Sequence, residues 1–221
     1  MLIISKKGYI SILFYYIIID MNKKLYVISG SSGVGKGTVL KGFLARNPHF
    51  MLSISCTTRK PREGEVDGVN YFFLTKEKFQ QNIADDKFLE WAEFAGNFYG
   101  TKRKYIKQCL EEGKDIILEI DTKGALQVKK QMPEAVLIFI CPPSLEALEN
   151  RLRGRHTEDE ETIQKRLNEV KVELERAEKF DYKVVNDELE RAISEIEKII
   201  DSHPIIFFAK KYYTDYYAGV C

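Results

Sequence analysis

Neither sign of charge dominates this 221-residue sequence: 34 lysines and arginines face 33 acids. No bulk charge therefore directs it to nucleic acid or to an anionic membrane surface, and any anion binding must be local. The four cysteines, Cys56, Cys109, Cys141 and Cys221, form no CxxC pair and no small disulfide frame. They read as reduced thiols of a cytoplasmic protein. His49, His156 and His203 are equally dispersed, and without a cysteine and histidine cluster a zinc site is not expected. The apolar run Tyr9 to Ile19 is about half the ~20 residues of a spanning helix, so no membrane association is expected. Internal repeats and low-complexity tracts are missing too. What is present, at 44% hydrophobic residues, suffices for one sizeable core in a single globular unit.

Residues 1–20 place two lysines ahead of that apolar run, as a signal peptide would, but no small-residue cleavage site follows. The expectation is a dispensable extension, or a natural start at Met21, ahead of a domain over residues 21–203. The tyrosine-rich tail, 204–221, is expected to pack or dangle rather than bind a ligand. From Lys24 onward, short apolar runs alternate with amphipathic stretches, the pattern of an α/β fold whose parallel sheet is flanked by helices. Five strands are expected at "LYVIS", "MLSIS", "DIILEI", "AVLIFI" and "YKVV", with helices at about 35–46, 123–131, 144–153 and 187–202. Ser55 to about Thr101 breaks the pattern with glycine, arginine and aromatics. It reads as an inserted subdomain with short strands such as "YFFL" and "FLEWAEF". The segment "RLRGRHTEDEETIQKRL" reads as a mobile basic turn entering a long helix, with Thr157 and Glu160 as a capping box. Together with the preceding helix it forms a helical lid over about 144–170.

The stretch "SGSSGVGKGTVL", Ser29 to Leu40, carries the first chemistry. Gly30, Gly33, Gly35 and Lys36 follow an apolar strand and open a helix, so the backbone amides of Ser31, Ser32, Val34 and their neighbours can converge on phosphate oxygens. Lys36 would reach the outer phosphates as a point charge. The strict motif puts a hydroxyl directly after the lysine, whereas this chain has Gly37 and then Thr38. Magnesium would then be held by phosphates and waters, with Thr38 as the one candidate protein hydroxyl. A GTPase reading of "DTKG", Asp121 to Gly124, fails for want of any NKxD or TKxD motif.

The acceptor side is written in "SCTTRKPREGEVDGVNYFF", Ser55 to Phe73. Arg59 and Arg62 flank Pro61, and two guanidinium forks suit a phosphate dianion better than two lysines would. This block, followed by "FLEWAEFAGNFYGT", resembles the substrate-binding insertion of guanylate kinases. With the phosphate loop, "LEIDTKGA" and "RLRGRHTEDEETIQKR", the resemblance covers about residues 24–200. It implies a P-loop kinase that phosphorylates GMP, and dGMP with it, from magnesium-bound ATP, a step in purine nucleotide metabolism.

The resemblance further implies that Arg59, Arg62, Tyr71 and Tyr99 hold the GMP phosphate. Ser55, Glu90, Thr101 and Asp121 would surround the guanine, Gly30 to Thr38 with Asn186 would hold ATP, and Arg155 and Arg166 would close over the transferring charge. The catalytic set would then be Lys36, Arg59, Arg155 and Arg166. Glu90 makes independent sense, because guanine presents two adjacent donors to a carboxylate while adenine would leave the carboxylate unpaired. Arg151 and Arg153 read as helix-face charges, and His156 receives no role. A non-catalytic relative would lose ATP-site residues, yet Gly35, Lys36, Arg155 and Arg166 are intact; a kinase for another monophosphate would not need Glu90 and the Arg59 to Tyr71 block. Self-association stays open.

Overall fold

A computed structural model describes residues 24–94, 96–154 and 159–203 of the chain. The first half of the core runs β1 (Leu25–Gly30), α1 (Lys36–Arg46) and β2 (Phe50–Leu52). An excursion follows: β3 (Cys56–Thr57), β4 (Phe72–Phe73), α2 (Lys76–Ala84), β5 (Phe88–Phe94) and β6 (Asn97–Lys102). The core resumes with α3 (Arg103–Glu111), β7 (Asp115–Glu119), α4 (Thr122–Gln131), β8 (Val136–Cys141), α5 (Leu145–Arg153), α6 (Glu160–Ala177), β9 (Tyr182–Val185) and α7 (Leu189–Ser202).

The main sheet has the order β2-β7-β1-β8-β9 and is parallel throughout. Every residue of β1 is buried, because a parallel strand covered by crossover helices has no solvent side. The two-residue side-chain period then divides the core. Leu25 and Val27 face the layer that contains Ile106 and Cys109 of α3 and Ala125 and Val128 of α4. Tyr26 and Ile28 face Val39, Leu40 and Phe43 of α1 with Ala192, Ile193 and Ile196 of α7.

The excursion forms its own sheet, β4-β3-β6-β5, around Phe79, Phe88 and Phe98. Phe79 stacks on Phe88 at 4.4 Å between ring centroids and on Phe98 at 5.5 Å. This sheet is fastened to the main body by α4. Gln127 donates to the Trp91 carbonyl at 2.8 Å and Gln131 to the Leu89 carbonyl at 2.7 Å.

Several local expectations change. The second strand is Phe50–Leu52, which begins one residue before "MLSIS" and ends three residues before its end, since the chain must leave the sheet edge to start the excursion. Two helices, α2 and α3, are additional to the expected set. Thr157 lies outside the described residues, and the cap of α6 is Asp159, whose Oδ1 accepts from the Thr162 amide at 2.8 Å. Glu160 is thereby already inside the helix, where it accepts from Arg153 at 2.8 Å instead of closing a capping box. Residues 1–20 and 204–221 are also outside the described set. Among the described residues, no helix is long and apolar enough to cross a membrane, and no group of three or more His, Cys, Asp or Glu residues could hold a metal ion.

Candidate active site

A cleft of about 550 Å³ opens at the carboxyl end of β1, lined by residues 30–38 with Phe94, Glu119, Asp121 and Glu173. Ligands of open α/β sheets bind outside these strand ends. The loop owes its shape to two glycines in left-handed conformations, Gly33 at φ 83° and Gly35 at φ 94°. Space tightens the requirement. A Cβ on Gly33 would lie 2.7 Å from the Leu152 side chain, and one on Gly35 would lie 2.9 Å from Asn186 Nδ2. α1 starts immediately afterwards, so its free N-terminal amides and positive dipole end face the cleft. Lys36 Nζ lies 3.5 Å from the Ile120 carbonyl, at the floor of the same cleft.

The loop is braced from behind. The Val34 carbonyl accepts from Asn186 Nδ2 at 2.8 Å and from Arg151 Nη1 at 3.2 Å, while Arg151 Nη2 donates to the Asn186 carbonyl at 3.0 Å. Arg151 is thus more than a helix-face charge; Arg153, paired with Glu149 and Glu160, is one. On the other side Glu173 of α6 accepts from the Ser32 amide at 3.1 Å. Burial holds its carboxyl above the usual range. Arg166 is half-buried seven residues earlier on the same helix. Seven residues are two turns, so it shares the face of Glu173 at roughly 10 Å along the axis.

Across the cleft, the second sheet carries a buried acid. A bulge between Phe88 and Glu90 shifts the β5–β6 register, so three consecutive residues are buried. Phe88 enters the aromatic cluster, Leu89 the main core, and Glu90 opposes Thr101. Re-aiming a side chain in this way is a common use of a bulge beside a site. Glu90 Oε1 accepts from the Thr101 hydroxyl at 2.6 Å, and Ser55 Oγ lies 3.5 Å from Thr101 Oγ1. Burial, reinforced by the charge of Asp121, lifts the Glu90 carboxyl to about 7. Asp121 caps α4 through the Gly124 amide at 2.8 Å, which accounts for "DTKG" as a helix start rather than a GTPase switch. Gly124 has a steric reason as well: a Cβ there would lie 2.5 Å from Glu90 Oε2.

Arg59, Tyr71 and Tyr99 form a cluster on this sheet. The Arg59 guanidinium lies 5.5 Å from the Tyr71 ring centroid, and the Tyr71 and Tyr99 rings are 6.2 Å apart. Burial first, then the nearby Glu119 and Tyr99, hold the Tyr71 phenol above its ordinary range, so it stays a neutral donor. The Arg62 side chain is exposed.

The family model described as "Guanylate kinase" matches residues 22–203. The chain belongs to the guanylate kinase family. It is 53% identical to the guanylate kinase of Synechocystis sp. over 177 residues, 80% of this chain and 93% of that one. The guanylate kinase of Bacillus cereus is 54% identical over 177 residues, 80% of this chain and 86% of its own. The crystal structure of guanylate kinase from Anaplasma phagocytophilum superposes with a TM-score of 0.67 at 29% identity, covering 86% of this chain and 93% of that one.

Of the residues singled out from the sequence, the structure gathers Gly30 to Thr38 with Asp121 around one cleft. Ser55, Thr101, Glu90 and Asp121 meet in a second cluster, and Arg59, Tyr71 and Tyr99 in a third. Asn186 reaches the loop's Val34 carbonyl. Arg155 lies outside the described residues. Sequence reading missed Glu119, Arg151 and Glu173, which line the cleft or brace its glycine loop. Glu119 carried one signal, a carboxylate directly after the buried apolar run Ile116 to Leu118; Arg151 and Glu173 looked like ordinary helix charges.

Proposed function

We propose that this chain transfers the γ-phosphoryl group of ATP to the phosphate of GMP or dGMP, giving ADP and GDP or dGDP, as a kinase of the cytoplasm. The observation that carries the reading is the buried Glu90 carboxylate, held by Thr101 across the cleft from a glycine and lysine phosphate loop. One half suits a nucleotide triphosphate and the other a base with two adjacent donors.

In this reading the loop amides and Lys36 hold the outer phosphates of ATP, fixed in place by Asn186 and Arg151 behind Val34. Arg59, Arg62, Tyr71 and Tyr99 hold the acceptor phosphate, and Glu90 with Ser55, Thr101 and Asp121 reads the guanine. Arg166, with Arg155, offsets charge on the group in transit, since phosphoryl transfer is mostly positioning plus electrostatics. The acceptor oxygen is already anionic, so no protein nucleophile is required. Magnesium carried with ATP would neutralise part of the phosphate charge. Thr38, exposed at the start of α1, and Glu119, whose Oε1 lies 3.9 Å from where a side chain at Gly37 would begin, are hard oxygen donors that suit it. Gly37 thus leaves open space toward a carboxylate and reads as a variant of the motif, not as damage to it.

The test is ADP release from magnesium ATP with GMP, dGMP, AMP, UMP and TMP supplied separately. GMP should react fastest. A faster rate with AMP or UMP would overturn the acceptor assignment, and no reaction with any of them would favour a binding module.

A further inference from the structure

Glu65 belongs to the "PREGE" stretch and has no assigned task, yet it is the best-connected acid on the second sheet's rim. Arg59 Nη1 donates to Glu65 Oε2 at 2.9 Å and Nη2 donates to Oε1 at 2.8 Å, an end-on bidentate pair. Nη1 gives its second hydrogen to the Lys60 carbonyl at 2.8 Å. A guanidinium has five N–H groups in a rigid fork. The guanidinium also hydrogen-bonds the Tyr99 side chain, and Glu65 and Lys60 do not take the Nε and Nη2 edge, the other bidentate edge of the fork. That edge matches two oxygens of a phosphate.

Glu65 is itself fixed. Its Oε2 also accepts from the Arg62 amide at 2.7 Å, and its own amide donates to the Arg62 carbonyl at 3.0 Å. The second contact closes a tight turn with Gly64 at φ 82°, the position where a type II turn requires a positive φ. The spacing Arg62-Glu63-Gly64-Glu65 therefore returns the carboxylate to Arg59. Arg59 and Glu65 side chains are only 15% and 18% exposed, so the pair is shielded from most of the solvent screening that weakens surface ion pairs. The Tyr71 ring lies against the guanidinium and Tyr99 flanks it.

We propose that Glu65 is a positioning residue for the acceptor phosphate: it grips Arg59 by the end edge so that the Nε and Nη2 edge stays presented to GMP. The inference rests on the reading of Arg59 as a phosphate ligand. It excludes the opposite role, in which Glu65 competes with the phosphate and must be displaced.

The experiment compares full-length wild type with Glu65→Ala, Glu65→Gln and Glu65→Asp. Steady-state kinetics give KM for GMP and for ATP, and calorimetry gives binding of GMP and of guanosine, which has no phosphate. Glu65→Ala should raise KM for GMP by roughly tenfold to a hundredfold, the scale of one charge-assisted hydrogen bond, with KM for ATP and guanosine affinity unchanged. Glu65→Gln, which keeps the shape and one acceptor, should be intermediate, and Glu65→Asp should recover part of the loss. An unchanged or lower KM for GMP in Glu65→Ala would overturn the proposal in favour of competition. Parallel loss of guanosine binding would overturn it in favour of a purely structural turn. Failure of the wild type to phosphorylate GMP would instead refute the function on which the proposal rests.

Discussion

With Glu90 as the proposed guanine reader, GMP binding should depend on pH. Burial is the main cause that raises its carboxyl from 4.5 to about 7, the Asp121 charge adds to the shift, and the Thr101 hydrogen bond opposes it. Only the ionised carboxylate accepts both the N1–H and the 2-amino group of guanine. GMP binding should therefore weaken by the factor 1 + 10^(pKa − pH), which is about elevenfold at pH 6, about twofold at pH 7 and close to one at pH 8. The GMP phosphate also titrates near pH 6, like other phosphate monoesters. Glu90→Gln separates the two effects, because it removes the carboxyl titration and keeps the phosphate one. Calorimetric Kd values for both proteins at pH 6, 7 and 8 and constant ionic strength are the assay. The ratio of wild-type to Glu90→Gln affinity should rise about sixfold from pH 6 to pH 7 and less than twofold from pH 7 to pH 8. A ratio that stays constant across this range would refute the reasoning. Stability should move the other way. The raised pKa means that the contribution of the protonated acid is complete below 4.5 and is lost as pH rises through about 7, a loss of about 3 kcal/mol in the nucleotide-free chain.

Three further perturbations probe separate parts of the site. Gly124→Ala puts a methyl 2.5 Å from Glu90 Oε2; it should raise KM for GMP about tenfold or more while KM for ATP stays put, as an overpacked contact of about 1–3 kcal/mol would. Arg151→Ala removes the two bonds from its guanidinium to the Val34 and Asn186 carbonyls and leaves only the direct Asn186 bond to Val34, so KM for ATP should rise about tenfold while guanosine binding, read by calorimetry, is unchanged. Lys36→Met keeps the length of the side chain and deletes its charge; kcat should fall by roughly two to three orders of magnitude in a coupled ADP assay.

The central strands of the main sheet, β1, β7 and β8, were legible in the sequence because they are buried on both faces over most of their length and read as near-continuous apolar runs bounded by turns. "AVLIFI" cannot be mistaken once "LYVIS" and a phosphate loop precede it. The helices α2 and α3 were not legible for the converse reason. Phe79 and Ile83 give α2 only a narrow apolar face on the small inserted sheet, and Ile106 and Cys109 give α3 a similarly narrow one against the main core, while mostly polar and charged residues fill the remaining positions. Arg59, Glu90 and Asp121 could be singled out as candidates because each sits in a run of motif residues. Arg151 and Glu173 could not, since each acts on the loop across more than a hundred residues of chain, and only the fold brings them together. The bulge at Glu90 was equally hidden: "FLEWAEF" reads only as a short strand, and nothing in it tells which residue opposes Thr101.

The short connection from β7 into α4 explains how the two proposed substrate sites keep their spacing. Glu119 lines the donor cleft, the Ile120 carbonyl lies beneath Lys36, Asp121 caps α4 beside Glu90, and Gly124 makes room for the Glu90 carboxylate. The loop cleft and the Glu90 cluster, the proposed donor and guanine sites, thus meet within six residues, Glu119 to Gly124. Farther along α4, Gln127 and Gln131 hold the β5 backbone that carries Glu90. Because α4 also packs Ala125 and Val128 into the core, a shift of that helix would disturb both sites at once. Gln127→Ala with Gln131→Ala should therefore loosen the second sheet without touching the donor loop. KM for GMP should rise, the ATP hydrolysis seen without acceptor should stay unchanged, and hydrogen exchange should quicken in β5 but not in β1. Equal acceleration in both strands would show that the second sheet does not move as a unit of its own.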